Sequence, residues 1–162
     1  MSTTDYIIKV KTSDRLAAGT DANVFLQLTG EDGVSQTFDL KKSNKPNKFE
    51  RNQLDEFKFL NVRQIGPLER LKVWHDNKGA MAAWHLEFIE VSDTYLETTF
   101  RFPCHRWIGG NEECEALLKC METSGGPKLV DQIALGVPNP NPVRKSSITD
   151  QIKEALGRKE SS

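Results

Sequence analysis

Histidine and cysteine are scarce in this chain and long apolar runs are missing, and each shortage removes a class of protein. The 162 residues hold three histidines, His75, His85 and His105, none of them in an H-E-x-x-H pair or another helical metal-ligand spacing. No G-x-S-x-G elbow, phosphate-binding loop or dinucleotide fingerprint occurs. With no catalytic set in view, the expectation is a protein that is not an enzyme. Three cysteines, Cys104, Cys114 and Cys120, leave at least one unpaired. Cys104 and His105 are neighbours in a strand-like run, so their side chains point to opposite faces and form no nucleophile–base pair. Cys114 and Cys120 lack the two further ligands of a zinc site.

No segment approaches the ~18 apolar residues of a membrane span. The start, Met1-Ser-Thr-Thr-Asp-Tyr6, has neither the basic flank nor the apolar stretch of a secretion signal. Cytoplasmic location, reduced thiols and at most a peripheral membrane association are therefore expected. A formal net charge of -1 supplies no global attraction to nucleic acid.

What is present is alternation. Hydrophobic residues make up 37% of the chain and charged residues 28%, enough apolar material for one core. Tyr6, Ile8 and Val10 share one face of a first run, and Val24, Leu26 and Leu28 one face of a second. Period two marks strands. Further runs span Val34 to Leu40, Phe57 to Leu60, Leu68 to His75, Trp84 to Val91 and Tyr95 to Phe102. Turn-formers at 30–33, 44–47, 66–67 and 76–79 separate them. No long amphipathic helix intervenes to make parallel crossovers, so the pattern predicts an antiparallel sandwich. Within Trp84 to Val91 the inward parity switches at Phe88-Ile89, which calls for a β-bulge or burial on both faces.

Beyond Trp107 the pattern loosens. "NEECEALLKCM", 111–121, reads either as a short helix or as a last strand. Residues 136–146 are proline-rich, as in an extended linker. In 147–162, Ile148, Ile152, Ala155 and Leu156 share one helical face, with Ser147 and Asp150 near a capping-box spacing. That pattern suits a short amphipathic helix or a disordered tail.

Calcium takes six to eight oxygen ligands, and loops at one end of a sandwich can converge to supply them. Three loops carry such groups: Gly19, Thr20 and Asp21 in the first, Asn47 and Glu50 in the second, Asp76 and Asn77 in the third. Each also reads as an ordinary turn, with Asp21 capping, Glu50 paired to Arg51 or Arg70, and 76–79 a hairpin connection.

The stretches "AAGTDANVFLQLTGEDGVS", "FERNQLDEF", "IGPLERLKVWHDNKGAMAAWHLEFIEV" and "FRFPCHRWI" occur in the order they take in the PLAT domain of polycystins, lipoxygenases and alpha-toxin. The resemblance runs over Tyr6 to Ile108. It implies an eight-stranded antiparallel β-sandwich, with the eighth strand within 114–135 and the domain spanning 5–135. It also implies a non-catalytic module that docks on membrane lipid or a protein partner, with calcium as cofactor. Carried onto this chain, Gly19, Thr20 and Asp21 fall on the first calcium loop, Asn47 and Glu50 on the second, and Asp76 and Asn77 on the third. Leu16, Lys45, Lys48, Met81 and Trp107 become the expected membrane contacts, while Trp74 and Trp84 are expected in the core. Two positions depart from lipoxygenase members: Lys48 and Ala82 stand where aspartates are common. A cation in a calcium site repels the ion unless its stem turns the ammonium outward. The alternatives are a calcium-independent interaction scaffold and the targeting module of a lipoxygenase- or lipase-type enzyme.

Overall fold

Alternating burial carries directly into strands. A computed structural model of the chain describes residues 2–126. In β1 (Thr3–Thr12), every second residue from Thr4 to Thr12 is buried, and in β2 (Val24–Gly30) the buried set is Val24, Leu26, Leu28 and Gly30. There follow β3 (Gly33–Asp39), β4 (Leu54–Arg63), β5 (Leu68–His75), β6 (Trp84–Asp93) and β7 (Thr98–Ile108). Two short strands close the described chain, β8 (Glu115–Lys119) and β9 (Glu122–Gly125). The helix-or-strand ambiguity of 111–121 thus resolves as a strand, with Ala116 and Leu118 facing inward.

One sheet has the order β4-β1-β6-β7-β9 and the other β3-β2-β5-β8, with every pairing antiparallel. This is the expected all-β, two-sheet sandwich. The eighth strand falls within 114–135 as expected, and β9 adds a ninth on the free side of β7. Tyr6, Ile8, Leu26, Phe57, Trp84 and Phe102 are among the large side chains fully withdrawn from water between the sheets. Burying each apolar chain of this size contributes about 1.5–3 kcal/mol.

The parity switch in β6 has a structural cause. Leu86 faces Arg106 and Phe88 faces Pro103 on β7, so Glu87 stands opposite two residues, Cys104 and His105. His105 takes a left-handed backbone (φ 54°) to accommodate the bulge. Against β1 the extra residue is on β6 instead, since Lys11 pairs with Phe88 and Thr12 with Leu86. Phe88 turns half out, where the Arg101 guanidinium lies 3.7 Å from its ring centroid.

The two strand tryptophans part company. Trp84 is fully buried and donates its indole N–H to Thr12 Oγ1 at 2.9 Å. Trp74, expected in the core, is instead on the outer face of the four-stranded sheet. The inward register of β5 belongs to Leu71, Val73 and His75, so Trp74 stacks outside on Phe25, centroids 5.9 Å apart. The seventh strand also differs from expectation, starting at Thr98 and running on through Cys104 to Ile108, because 94–97 form the turn.

Antiparallel pairing places the connections 13–23, 40–53, 76–83 and 109–114 at one end of the sandwich. The linker at 136–146 and the helical pattern at 147–162 lie outside the described residues.

Candidate functional site

The β1–β2 connection is the hub of that end. Its residues are tied to both neighbouring loops by backbone hydrogen bonds: Thr20 N–H donates to Phe49 O at 3.1 Å, Asp21 N–H to Met81 O at 3.2 Å, and His85 N–H to Ala18 O at 2.9 Å. Thr20 also donates its hydroxyl to Ala82 O at 2.7 Å and accepts from Ala22 N–H at 3.1 Å. Glycine is required at position 19 because a Cβ there would sit 2.7 Å from the Phe49 carbonyl oxygen. Thr20 is thereby buried as a fastener, while Asp21 beside it is exposed.

The β3–β4 connection is held from beneath by Asp55, a carboxylate with no exposed surface. It accepts from Ser43 Oγ at 2.6 Å, from Phe49 N–H at 2.8 Å and from Gln53 Nε2 at 3.0 Å. Gln53 Nε2 also donates to Asn47 O at 2.6 Å, and Ser43 Oγ accepts from Lys45 N–H at 3.0 Å. Phe49, in a left-handed backbone (φ 60°), drives its ring into the core against Trp84, centroids 5.2 Å apart. A sequence rich in lysine and asparagine is thus kept in one shape by a single buried acid and one aromatic anchor.

Between these two loops lies an open cleft of about 440 Å³, whose wall includes Thr20, Asp21, Asn47 and Glu50. Four of the expected ligand residues therefore do meet. Among the described residues, no protein group hydrogen-bonds the Asp21 or Glu50 carboxylate. Lys48 lines the same cleft, with its ammonium donating to Lys41 O at 2.9 Å and lying 5.7 Å from the Phe49 ring centroid. Lys41, Lys42 and Lys45 complete a basic wall. The run "KKSNKPNK" was the available sequence signal for Lys41 and Lys42, and counting acidic loop residues alone passes over it.

The two expected ligand residues of the third loop have partners of their own. Asp76 accepts from Asn23 Nδ2 at 2.6 Å, Asn23 N–H at 3.1 Å and Lys78 N–H at 3.1 Å. The Asn23 amide foremost, with those backbone donors and the Lys78 charge, holds its carboxyl below the usual aspartate range. Asn77 Oδ1 accepts from Gly110 N–H at 2.8 Å, and its own N–H donates to His75 Nδ1 at 2.9 Å. Since His75 Nδ1 accepts, its Nε2 carries the proton given to Ile108 O at 2.9 Å. Asp76 and Asn77 are absent from the wall of the lysine cleft. Nor does any group of three or more His, Cys, Asp or Glu side chains that could hold a metal occur among the described residues. Two carboxylates, the Asn47 amide and nearby backbone oxygens are donors of the type calcium takes, fewer than its usual six to eight ligands unless water or a ligand supplies the rest.

The family model of the PLAT/LH2 domain matches residues 6–118. The chain belongs to the PLAT/LH2 family. Lipoxygenase homology domain-containing protein 1 of Mus musculus is 50% identical over 112 residues, covering 69% of this chain and 5% of the relative. Polycystin family receptor for egg jelly, also of Mus musculus, is 30% identical over 111 residues, covering 68% of this chain and 5% of that protein. The chain spans about a twentieth of these relatives' length. Among solved structures, a coral 8R-lipoxygenase described with calcium activation via a C2-like domain superposes with a TM-score of 0.63 at 22% identity, over 82% of this chain and 20% of that one. A calcium-dependent 11R-lipoxygenase gives 0.56 at 25% identity, over 91% and 20%.

On the other side of the 17–21 segment this PLAT domain has another groove of about 430 Å³ with a mixed lining, walled by Ala17, Asn77, Met81, Ala83 and Trp107 among others. Met81 in its wall is 53% exposed, Leu16 in the hub loop is 83% exposed, and Trp107 is half-buried, edge-on to His85 with centroids 5.0 Å apart. The expected contacts Leu16, Lys45 and Met81 are thus exposed at one end, with Lys48 and Trp107 half-buried beside them. Ser13 Oγ and His85 Nδ1 are 2.6 Å apart, but both residues are buried and the pair fastens the start of the hub loop. No helix among the described residues is long and apolar enough to cross a membrane.

Proposed function

We propose that this PLAT domain is a non-catalytic adaptor that docks peripherally on membrane lipid, assisted by calcium bound in the cleft between the β1–β2 and β3–β4 loops. The observation that carries the reading is the meeting of Asp21 and Glu50, neither carboxylate hydrogen-bonded or ion-paired to another described residue, in a cleft bordered by lysines, with exposed Leu16 and Met81 at the same end of the sandwich. Calcium would be held by Asp21, Glu50, Asn47 and backbone oxygens of 19–20, and would stiffen the loops when bound. The chain's own part is to present Leu16 and Met81 to the interface and lysines to phosphates. Two such side chains bury little apolar area, a few kcal/mol at about 25 cal/mol per Å², so attachment is reversible. Calcium-activated lipoxygenases with the same fold support the reading. We place the protein in the cytoplasm. Calorimetry with calcium followed by vesicle sedimentation tests the proposal: absence of heat at millimolar calcium together with absence of calcium-dependent pelleting overturns the calcium-assisted form.

One observation favours a second reading, a calcium-independent protein scaffold. Asp76 and Asn77 are committed to structural hydrogen bonds, which leaves the cleft two carboxylates and four lysines. Partner capture undiminished by chelator, with no binding to vesicles, would select it. The targeting-module reading remains a proposal about a longer protein, consistent with the small share of its relatives that the chain covers; the chain itself is expected to show no peroxidation of unsaturated fatty acid.

A further inference from the structure

The cleft between the β1–β2 and β3–β4 loops has more positive than negative charge in its wall. Lys41, Lys42, Lys45 and Lys48 share that wall with Asp21 and Glu50, four cations to two anions. We infer that the cleft is a phosphate-monoester site, and that a lipid headgroup ending in a doubly charged phosphate is the surface this domain prefers. The inference rests on the adaptor reading for the source of the phosphate, and on the cleft alone for its chemistry.

Lys48 is already satisfied by the Lys41 carbonyl. Among the described residues, the ammonium groups of Lys41, Lys42 and Lys45 make neither an ion pair nor a hydrogen bond. Three uncommitted cations around one concavity focus their field into it, and each remains a point charge with donors free to turn toward an oxyanion. A phosphate monoester carries about -1.5 to -2 charges near neutrality, against about -1 for a diester, so it gains more from the three uncommitted ammonium groups than a diester does. The Asn47 side chain, also in the wall, adds an amide donor. The cradle is preset, because Asp55 fixes Ser43, Phe49 and Gln53 beneath the lysines. Asp21 and Glu50 repel a phosphate in the empty cleft and attract it once they share a calcium ion. Calcium and phosphate monoester therefore reinforce each other's binding, and by linkage the coupling is reciprocal.

The test uses the full chain. Labelled protein is titrated in chelator with sn-glycerol 3-phosphate and followed by amide chemical shifts. Binding is then compared on phosphatidylcholine vesicles containing phosphatidic acid or phosphatidylglycerol at matched surface charge, with and without calcium. The expected result is shifts confined to 20–22 and 41–50, and tighter binding to phosphatidic acid vesicles that calcium strengthens further. K41A, K42A and K45A should each weaken that binding about fivefold, the factor usual for a basic side chain at an anionic surface. All three side chains are exposed, and unchanged thermal melts verify that the variants fold. Equal binding to both vesicle types, unchanged by the three substitutions, overturns the inference. Calcium-dependent pelleting that survives loss of all three lysines does the same while leaving the adaptor reading intact. Shifts with glycerol phosphate but no vesicle preference support the site and overturn its lipid source.

Discussion

Lys48 Nζ donates to the backbone carbonyl oxygen of Lys41 at 2.9 Å, across the neck of the β3–β4 loop. The cation that stands in place of an acid is thereby turned onto the loop's own backbone, at the wall of the cleft rather than over Asp21 and Glu50. Replacing it by aspartate adds a third carboxylate to that wall. Lys48→Asp is expected to raise calcium affinity about tenfold, since ligand charge count is the main lever on such sites. Calorimetry measures this, and an unchanged isotherm would show that the cleft does not take calcium through these residues.

Gly19 packs against Phe49 so closely that a single added methyl meets a backbone oxygen at 2.7 Å. A flexible side chain could yield; a backbone carbonyl also held by Thr20 N–H cannot move freely. Gly19→Ala should cost about 1–3 kcal/mol, the usual penalty for overpacking. Urea denaturation reads it directly, and a midpoint equal to that of the parent would refute the steric assignment.

Asp55 is expected to matter more to the shape of the loop than any residue in the cleft. Asp55→Ala leaves the buried Phe49 N–H without its acceptor and frees Ser43 and Gln53, a loss of about 3 kcal/mol or more. Hydrogen exchange should quicken across 43–53 before it does in β1 or β6. Asp55→Asn keeps one acceptor oxygen and should fall between the two.

His85 gives the fold a dependence on acid. Burial first, then the charges of Arg15 and His105, hold its pKa below the ordinary histidine value of about 6.5. Between the lowered value and 6.5 the unfolded chain binds more protons than the folded one. Stability contributed by neutral His85 is therefore present above about pH 6.5 and declines as pH falls below it. Thermal melts from about pH 7.5 to about pH 5.5 should show a drop that is smaller in His85→Gln. Parallel profiles for the two proteins would remove His85 as the cause.

Much of this molecule is legible in its sequence, at the level where the signal is local. Tyr6, Ile8 and Val10 alternate because β1 has one face on the core, and the parity break at Phe88-Ile89 called for a bulge or two-sided burial, of which the strand register shows the bulge at Glu87. Trp74 shows where that legibility stops. Its strand was evident, but which parity faces inward depends on the register with β2 and β8, and the inward set is Leu71, Val73 and His75. β9 was illegible for a related reason: four residues, Glu122–Gly125, carry almost no apolar pattern and are held by pairing with β7.

By itself the sequence determined the class of fold and the family, because strand period, turn residues and spaced motifs are properties of short stretches that tolerate no second reading once combined. Only the tertiary structure decided which oxygen-bearing loops share a cleft. Thr20, Asp21, Asn47 and Glu50 come together because sheet stacking brings the β1–β2 and β3–β4 connections side by side. Asp76 and Asn77 are instead hydrogen-bonded to Asn23, Lys78 and Gly110 and do not line that cleft. Where a side chain points depends on the partner it finds, and partners from distant parts of the chain are fixed only when the sheets have packed.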